Sequence, residues 1–460
     1  MNRDAAAGGA RRRPGRADVR RLLAEERQRF VRSHPRSAEL FRQAQGSLLG
    51  GMPMNWMHRW PGGFPLFVDE GRGSRVRDAD GIEYVDFCLG DTGAMTGHAP
   101  GAVQQTLADR FARGATFMLP TADAIWVAEE LRRRFGLGHW QFALTATDAN
   151  RFALRIARAV TGRRKILVFH GCYHGTVDET FAVLERGRIV ARRGNLGAPV
   201  DPVETTKVVE MNDPASLRDA LLPRDIAAVL MEPWMTNVGI VRPLPGFLEE
   251  VRQLTAATGT LWIVDETHTI SAGPGGVTGR EGLRPDILTV GKPLASGIPA
   301  AAYGFSDQVA ARAGAVTGGI SADTSGIGGT LAANALSLAA MRATLEHVLT
   351  EEAYAAMDEM GRSFAAHVQA VIDEQNLYWC VVRLGGRVEY LFRETPPRCG
   401  GEALAASDPD LEALMHLYLL NRGVLMTPFH NMALMSPSTT EEDIRRHSAV
   451  FREAVVALFG

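Results

Sequence analysis

Cysteine is scarce in this chain: Cys88, Cys172, Cys380 and Cys399 are the only four in 460 residues, and none has the paired spacing of a zinc site or a disulfide framework. That excludes a disulfide-stapled scaffold and points to a reducing, cytoplasmic compartment. Net charge is nearly absent as well, since 50 basic and 52 acidic residues leave a formal charge of -2, too weak a field to gather nucleic acid. No run approaches the roughly 20 uninterrupted apolar residues of a membrane helix. The opening stretch Met1 to Arg21 is rich in Ala, Gly and Arg but lacks the apolar centre of a secretory signal. It reads as a disordered basic tail over residues 1–20, with a transit peptide as the alternative.

What is present is an ordinary globular composition, 46% apolar and 22% charged, in a chain too long for one core. Apolar residues Leu22, Leu23, Phe30, Leu40 and Phe41 recur at roughly helical spacing and predict a helical arm. Residues 50–65, dense in Gly, Pro, Met and Trp, read as an ordered loop, and the runs around Leu66–Val68, Ser74–Arg77 and Tyr84–Phe87 as a small antiparallel sheet. These make an N-terminal segment, 21–95. From there helical patterns alternate with short apolar runs, Lys165–Phe169, Ala227–Met231, Leu261–Val264, Ile287–Val290 and Ala300–Phe305. Such runs, buried on both faces, predict an α/β domain over 96–335 with a mostly parallel sheet between helices. A strong helix over Leu331–Leu349 and mixed elements after it predict a smaller α+β domain over 336–460.

The strand ending Leu261-Trp262-Ile263-Val264 delivers Asp265 and Glu266 at its carboxyl end, where open α/β sheets place ligands; a strand-end acid that merely caps the next helix is the competing reading. The next apolar run delivers Lys292 at its own end, ahead of the flexible Pro293–Gly297. Lysine is rarely buried without a reason. Schiff-base chemistry supplies one, because a desolvated amine attacks an aldehyde, and pyridoxal phosphate (PLP) also needs a carboxylate against its pyridinium nitrogen. Lys292 and Asp265 supply both. The phosphate needs helix-start N–H groups and hydroxyls, and Thr145-Ala146-Thr147-Asp148 leads into the helical pattern Arg151–Val160. Gly328-Gly329-Thr330 is a second contributor. Tyr173, beside His174 after the strand Ile166–Phe169, is placed to stack on a ring, although a buried Tyr-His pair also suits a core.

Together these stations resemble the class III aminotransferases of PLP fold type I, in the branch of glutamate-1-semialdehyde aminomutase and the ω-transaminases. The resemblance runs from about residue 38 to the end. It is carried by Thr145-Ala146-Thr147-Asp148-Ala149-Asn150, Tyr173-His174-Gly175, Glu232-Pro233, Asp265-Glu266-Thr267, Gly291-Lys292 and Gly329-Thr330. It implies that Ala146 and Thr147 hold the phosphate, that Tyr173 and Thr267 cover the two ring faces, that His174 and Glu232 belong to the cofactor site, and that Asp265 pairs with the ring nitrogen. Lys292 is then anchor and proton shuttle. Thr330 reaches the phosphate of the neighbouring subunit, which implies a homodimer with sites at its interface.

The arginine that often follows the Asp-Glu-Val motif is missing, since Thr269-Ile270-Ser271-Ala272 stands there. The loops that carry carboxylate-binding arginines in related enzymes read Asn55-Trp56-Met57 and Thr427-Pro428-Phe429-His430, with Arg59 and Arg387 as the remaining carboxylate ligands. Trp56, Trp60 and Phe429 therefore predict an apolar substrate pocket. The leading expectation is an ω- or amine transaminase passing nitrogen from a hydrophobic amine or ω-amino acid to a keto acid such as pyruvate. The alternatives are an aminomutase of the glutamate-1-semialdehyde kind, with Gly318–Gly329 as a gating loop, and a PLP-binding protein without catalysis.

Overall fold

A computed structural model describes residues 11–317, 326–428 and 430–460. Its centre is a seven-stranded sheet in the order His139–Ala143, Ala301–Phe305, Ile287–Val290, Leu261–Asp265, Ile226–Met231, Lys165–Phe169, Thr206–Val209. All neighbours run parallel except Ala301–Phe305, which is antiparallel to both strands beside it. The five runs read from the sequence are all strands, and four of them are buried along their whole length. Thr206–Val209 was not among them: it is a four-residue edge strand, and one-sided pairing leaves it only a short apolar signature.

Helices cover both faces, and the strand carboxyl ends point Asp265, Gly291-Lys292 and the start of helix Ala146–Thr161 to one side. That helix starts five residues earlier than its apolar periodicity predicts. Thr145 caps it by accepting from the Asp148 N–H at 3.1 Å, which satisfies one of its orphan donors.

The smaller unit is built from both ends of the chain. Helix Arg16–Ser33 buries Val19, Leu22, Leu23 and Phe30 and packs on helix Pro409–Leu420. It stops at His34 because Pro35 opens the next helix, Pro35–Ala44. Strand Val424–Leu425 pairs in parallel with Glu83–Asp86 of the N-terminal sheet. The tail expectation needs correction over residues 11–20. The Arg12 N–H donates to Asn376 O at 2.7 Å, its carbonyl accepts from Tyr378 N, and the Arg13 guanidinium lies 3.7 Å over the Tyr378 ring. Basic side chains that cover aromatic faces order this stretch. Residues 1–10 lie outside the described residues, as do 318–325 of the expected gating loop.

Candidate active site

Lys292 follows strand Ile287–Val290 through Gly291 and adopts φ +44°, a left-handed conformation that costs energy for any residue but glycine. Gly291 packs against the start of helix Ala146–Thr161, where an added Cβ would lie 3.0 Å from the Ala146 Cβ. The close approach brings the residue before the lysine against the first N–H of that helix, where an added Cβ would lie 3.3 Å from the Ala146 N. Thr147 is fixed by accepting from the Thr176 N–H at 3.0 Å, and Gly175, at φ +77°, passes so near that a Cβ would overlap the Thr147 hydroxyl.

The two strand-end acids divide the roles that the sequence left open. Glu266 is structural: it accepts from the N–H groups of Val277 at 3.1 Å and Thr278 at 2.6 Å at the start of helix Gly276–Glu281, and from the Thr269 hydroxyl. Asp265 faces the site. Its carboxylate accepts from Asn150 Nδ2 and His174 Nδ1, each at 2.9 Å, and from the Thr267 N–H at 3.0 Å. Burial works against its charge, but His174, Thr267 and Asn150 together lower its pKa to about 2. His174 is raised to about 10: burial opposes the charge, and the Cys172 sulfur and the Asp265 carboxylate favour it. We assign the larger share to Asp265, whose Oδ2 accepts from the ring Nδ1–H at 2.9 Å. Asn150 closes the arrangement by accepting from the Thr289 hydroxyl at 2.6 Å.

Around Lys292 lies a second polar group. Its Nζ is 2.7 Å from His268 Nε2 and 3.2 Å from Asp91 Oδ2. Burial would raise the Asp91 carboxyl, but Lys292, then His268 and Arg387, hold it well below the usual range. Asp91 and Thr92 sit in a turn where both have positive φ, 51° and 82°. Arg387 is 1% exposed and donates to Thr92 Oγ1 at 2.5 Å, so its guanidinium is committed inside the protein and does not line the cavity. Asp91, Thr92, Asn150 and His268 were missed as site residues. His268 and Asn150 carried a signal, since both stand in motifs that hold other site residues. Asp91 and Thr92 carried none.

A cavity of about 390 Å³ opens over Lys292, lined by Met54, Trp56, Met57, Trp60, Tyr173 and His268 among others. Trp56 stands edge-on to Tyr173, with ring centroids 5.5 Å apart. A second chamber of about 430 Å³ shares Trp56 and Tyr173 and is lined by Arg59, Arg192 and Glu389. Phe429 lies outside the described residues. Glu232, just beyond strand Ile226–Met231, is pushed up to about 7 by burial and accepts from the Thr236 hydroxyl. Thr330 is exposed, on a turn ahead of helix Ala335–His347, and makes no described contact with Lys292.

These residues fit PLP. A dry anionic carboxylate, a lysine at a strand end and a helix start are all present, and the buried Thr267 hydroxyl beside Asp265 has no hydrogen-bond partner among the described residues. Fold and site thus suit an α/β enzyme that binds a flat, phosphorylated aldehyde, with Lys292 at a strand end where it would anchor one.

Residues 56–451 match the family described as aminotransferase class-III. The chain belongs to this family of PLP enzymes of fold type I, as the sequence motifs imply. It is 36% identical to a glutamate-1-semialdehyde 2,1-aminomutase of Sorangium cellulosum over 92% of this chain and 97% of that one. A crystal structure of a glutamate-1-semialdehyde-aminomutase from Pseudomonas aeruginosa PAO1 is 49% identical, with TM-score 0.95 over 97% of this chain and 99% of that one; a lysine-to-alanine form of it is solved with PMP. An ω-transaminase from Sphaerobacter thermophilus has TM-score 0.84 and 27% identity over 94% and 100%.

The comparison overturns the leading expectation of an amine or ω-transaminase with a keto acid acceptor, because the relatives at 36% and 49% identity are aminomutases, whereas the ω-transaminase stands at 27%. The physical reason is that Trp56 and Trp60 wall a cavity, and an apolar wall serves a chamber that retains an intermediate as well as it serves a hydrophobic amine.

Proposed function

We propose that this chain is a PLP-dependent aminomutase that moves an amino group between adjacent carbons of an amino aldehyde of the glutamate-1-semialdehyde kind. The observation that carries this reading is the 49% identity to an aminomutase along nearly the whole of both chains. Bound here, PLP supplies an aldehyde for covalent capture of an amine and a ring that draws electrons from the carbon next to the captured nitrogen.

This chain's own residues do the rest. Lys292 Nζ is the anchor and the group that takes a proton from one substrate carbon and returns it to its neighbour. Asp265, kept anionic by Asn150 and His174, holds a proton on the ring nitrogen. Ala146 and Thr147 hold the phosphate at the helix start, with Tyr173 and Thr267 on the ring faces. Glu232 keeps the floor of the site in place through Thr236. Met54, Trp56, Met57 and Trp60 wall the chamber and retain the intermediate while its nitrogens exchange places; the water released on capture of the substrate carbonyl is taken up again as the product carbonyl forms.

The working form in this reading is a cytoplasmic homodimer. An exposed apolar run, Phe111 with Phe117, Met118 and Leu119, supports that assembly, because it joins the segment of Thr330 through the Leu336 N–H to Ala115 O bond. The test is conversion of 4-amino-5-oxopentanoate by the loaded enzyme. The expected product is 5-amino-4-oxopentanoate, formed without a keto acid. Strict dependence on pyruvate would refute the reading.

A further inference from the structure

The contact between His268 and Lys292 has a direction, and the groups behind His268 set it. His268 Nδ1 lies 3.0 Å from Arg387 Nη2 and 3.1 Å from Thr92 Oγ1. A guanidinium only donates, so Nδ1 must accept, and the proton of the neutral ring is then on Nε2. That N–H points at Lys292 Nζ, 2.7 Å away. An amine nitrogen has a lone pair to receive it, whereas an ammonium has only protons to oppose it. A second proton on the ring is disfavoured first by burial, which lowers the His268 pKa well below the usual range, with Lys292 adding to this only while it is an ammonium and Arg387 throughout; Asp91 and Asp265 act the other way.

Resting on the reading of Lys292 as the cofactor anchor and proton carrier, we propose that His268 is a further catalytic residue: through a tautomer locked by Arg387 and Thr92, it donates Nε2–H to Lys292 Nζ and favours the lysine's amine form. Asp91, 3.2 Å from the same nitrogen, favours the ammonium. The lysine is thereby held between two opposed partners. A proton taken from a substrate carbon goes to the Nζ lone pair, forming an ammonium that Asp91 accepts from and His268 Nε2–H opposes. The same proton leaves for the neighbouring carbon, and Nζ returns to accepting from His268. No proton passes to the imidazole, and the protein ends the cycle unchanged. The charged groups that face this pair are Asp91, Arg387, Asp265 and, through Asp91, His430.

The test uses the full-length chain as wild type, His268→Met and His268→Gln; Met fills similar space without a donor, and Gln keeps an N–H. The first measurement is the rate of reductive methylation of Lys292 in the cofactor-free protein, followed by peptide mass spectrometry across pH. H268M is expected to react about tenfold more slowly than wild type near pH 7 and to recover at higher pH, with H268Q close to wild type. The second is a pH titration of the visible band of the loaded protein, where H268M is expected to shift and H268Q is not. Equal methylation profiles for all three proteins would overturn the proposal, as would a loss in H268Q as large as in H268M. Borohydride reduction of loaded wild type, followed by peptide mapping, separates this from failure of the parent reading: a label anywhere but Lys292 sinks the anchor itself.

Discussion

Asn150→Ala tests whether the interior of the site is held together as described. Asn150 is fully buried and bonds three groups: Nδ2 donates to the Asp265 carboxylate at 2.9 Å and to the His174 carbonyl at 3.2 Å, and Oδ1 accepts from Thr289 at 2.6 Å. A hydrogen bond to a charged group contributes about 2 kcal/mol and each of the two neutral ones about 1, while alanine regains roughly 0.5 as the better helix former, which leaves a loss of about 3.5 kcal/mol. The measurement is equilibrium urea unfolding of wild type and N150A, loaded with cofactor and at one protein concentration. A second reading is cofactor affinity, expected to fall by about tenfold because Asp265 loses one of the donors that keep it anionic. A stability loss below about 1 kcal/mol with unchanged affinity would refute the argument, because three buried partners cannot lose their bonds so cheaply.

Glu266→Ala is expected to destabilise the protein by about 3 kcal/mol in the same assay, since it strands the Val277 and Thr278 N–H groups; a change confined to catalysis would reverse the roles given to Glu266 and Asp265. The raised pKa of His174 means that its ion pair contributes stability fully below the ordinary value of 6.5 and loses it as pH rises through about 10. Asp265 is the opposite case, with its contribution present above 3.8 and lost as pH falls through about 2. Imidazole NMR should therefore show His174 protonated and not titrating between pH 6 and 8, and a midpoint near 6.5 would contradict the pairing. Met118→Asp, at a residue 75% exposed, is expected to shift the assembly toward monomer in light scattering and to lower activity with it, whereas an unchanged mass would remove that surface from the interface. Trp56→Ala opens the wall between the two chambers, and released intermediate is expected to rise relative to isomerised product, measured by chromatography of single-turnover mixtures.

The sequence by itself determined the five central strands, because parallel strands buried on both faces must be continuous apolar runs, as Ile226–Met231 is. It also singled out Asp265 and Lys292, since a carboxylate and a lysine that end such strands need a use. The periodicity of Leu22, Leu23 and Phe30 marked the first helix of the arm, where all three are buried. Local pattern could not show that Ala301–Phe305 runs backwards, because reversing a uniformly buried strand leaves its composition unchanged. Nor could it show that Arg12 and Arg13 lie against Tyr378, a contact between distant parts of the chain. The use of Glu266, one residue on, depended on the fold, because successive side chains point to opposite faces and its partners Val277 and Thr278 are brought to it by the chain's return. Asp91, Thr92, His268, Lys292 and Arg387 come from four separate stretches of the chain, and no spacing rule joins them. Only the tertiary structure decided that they meet around His268 and the Lys292 Nζ beside it, because hydrogen-bond partners are chosen by distance in space and not along the chain.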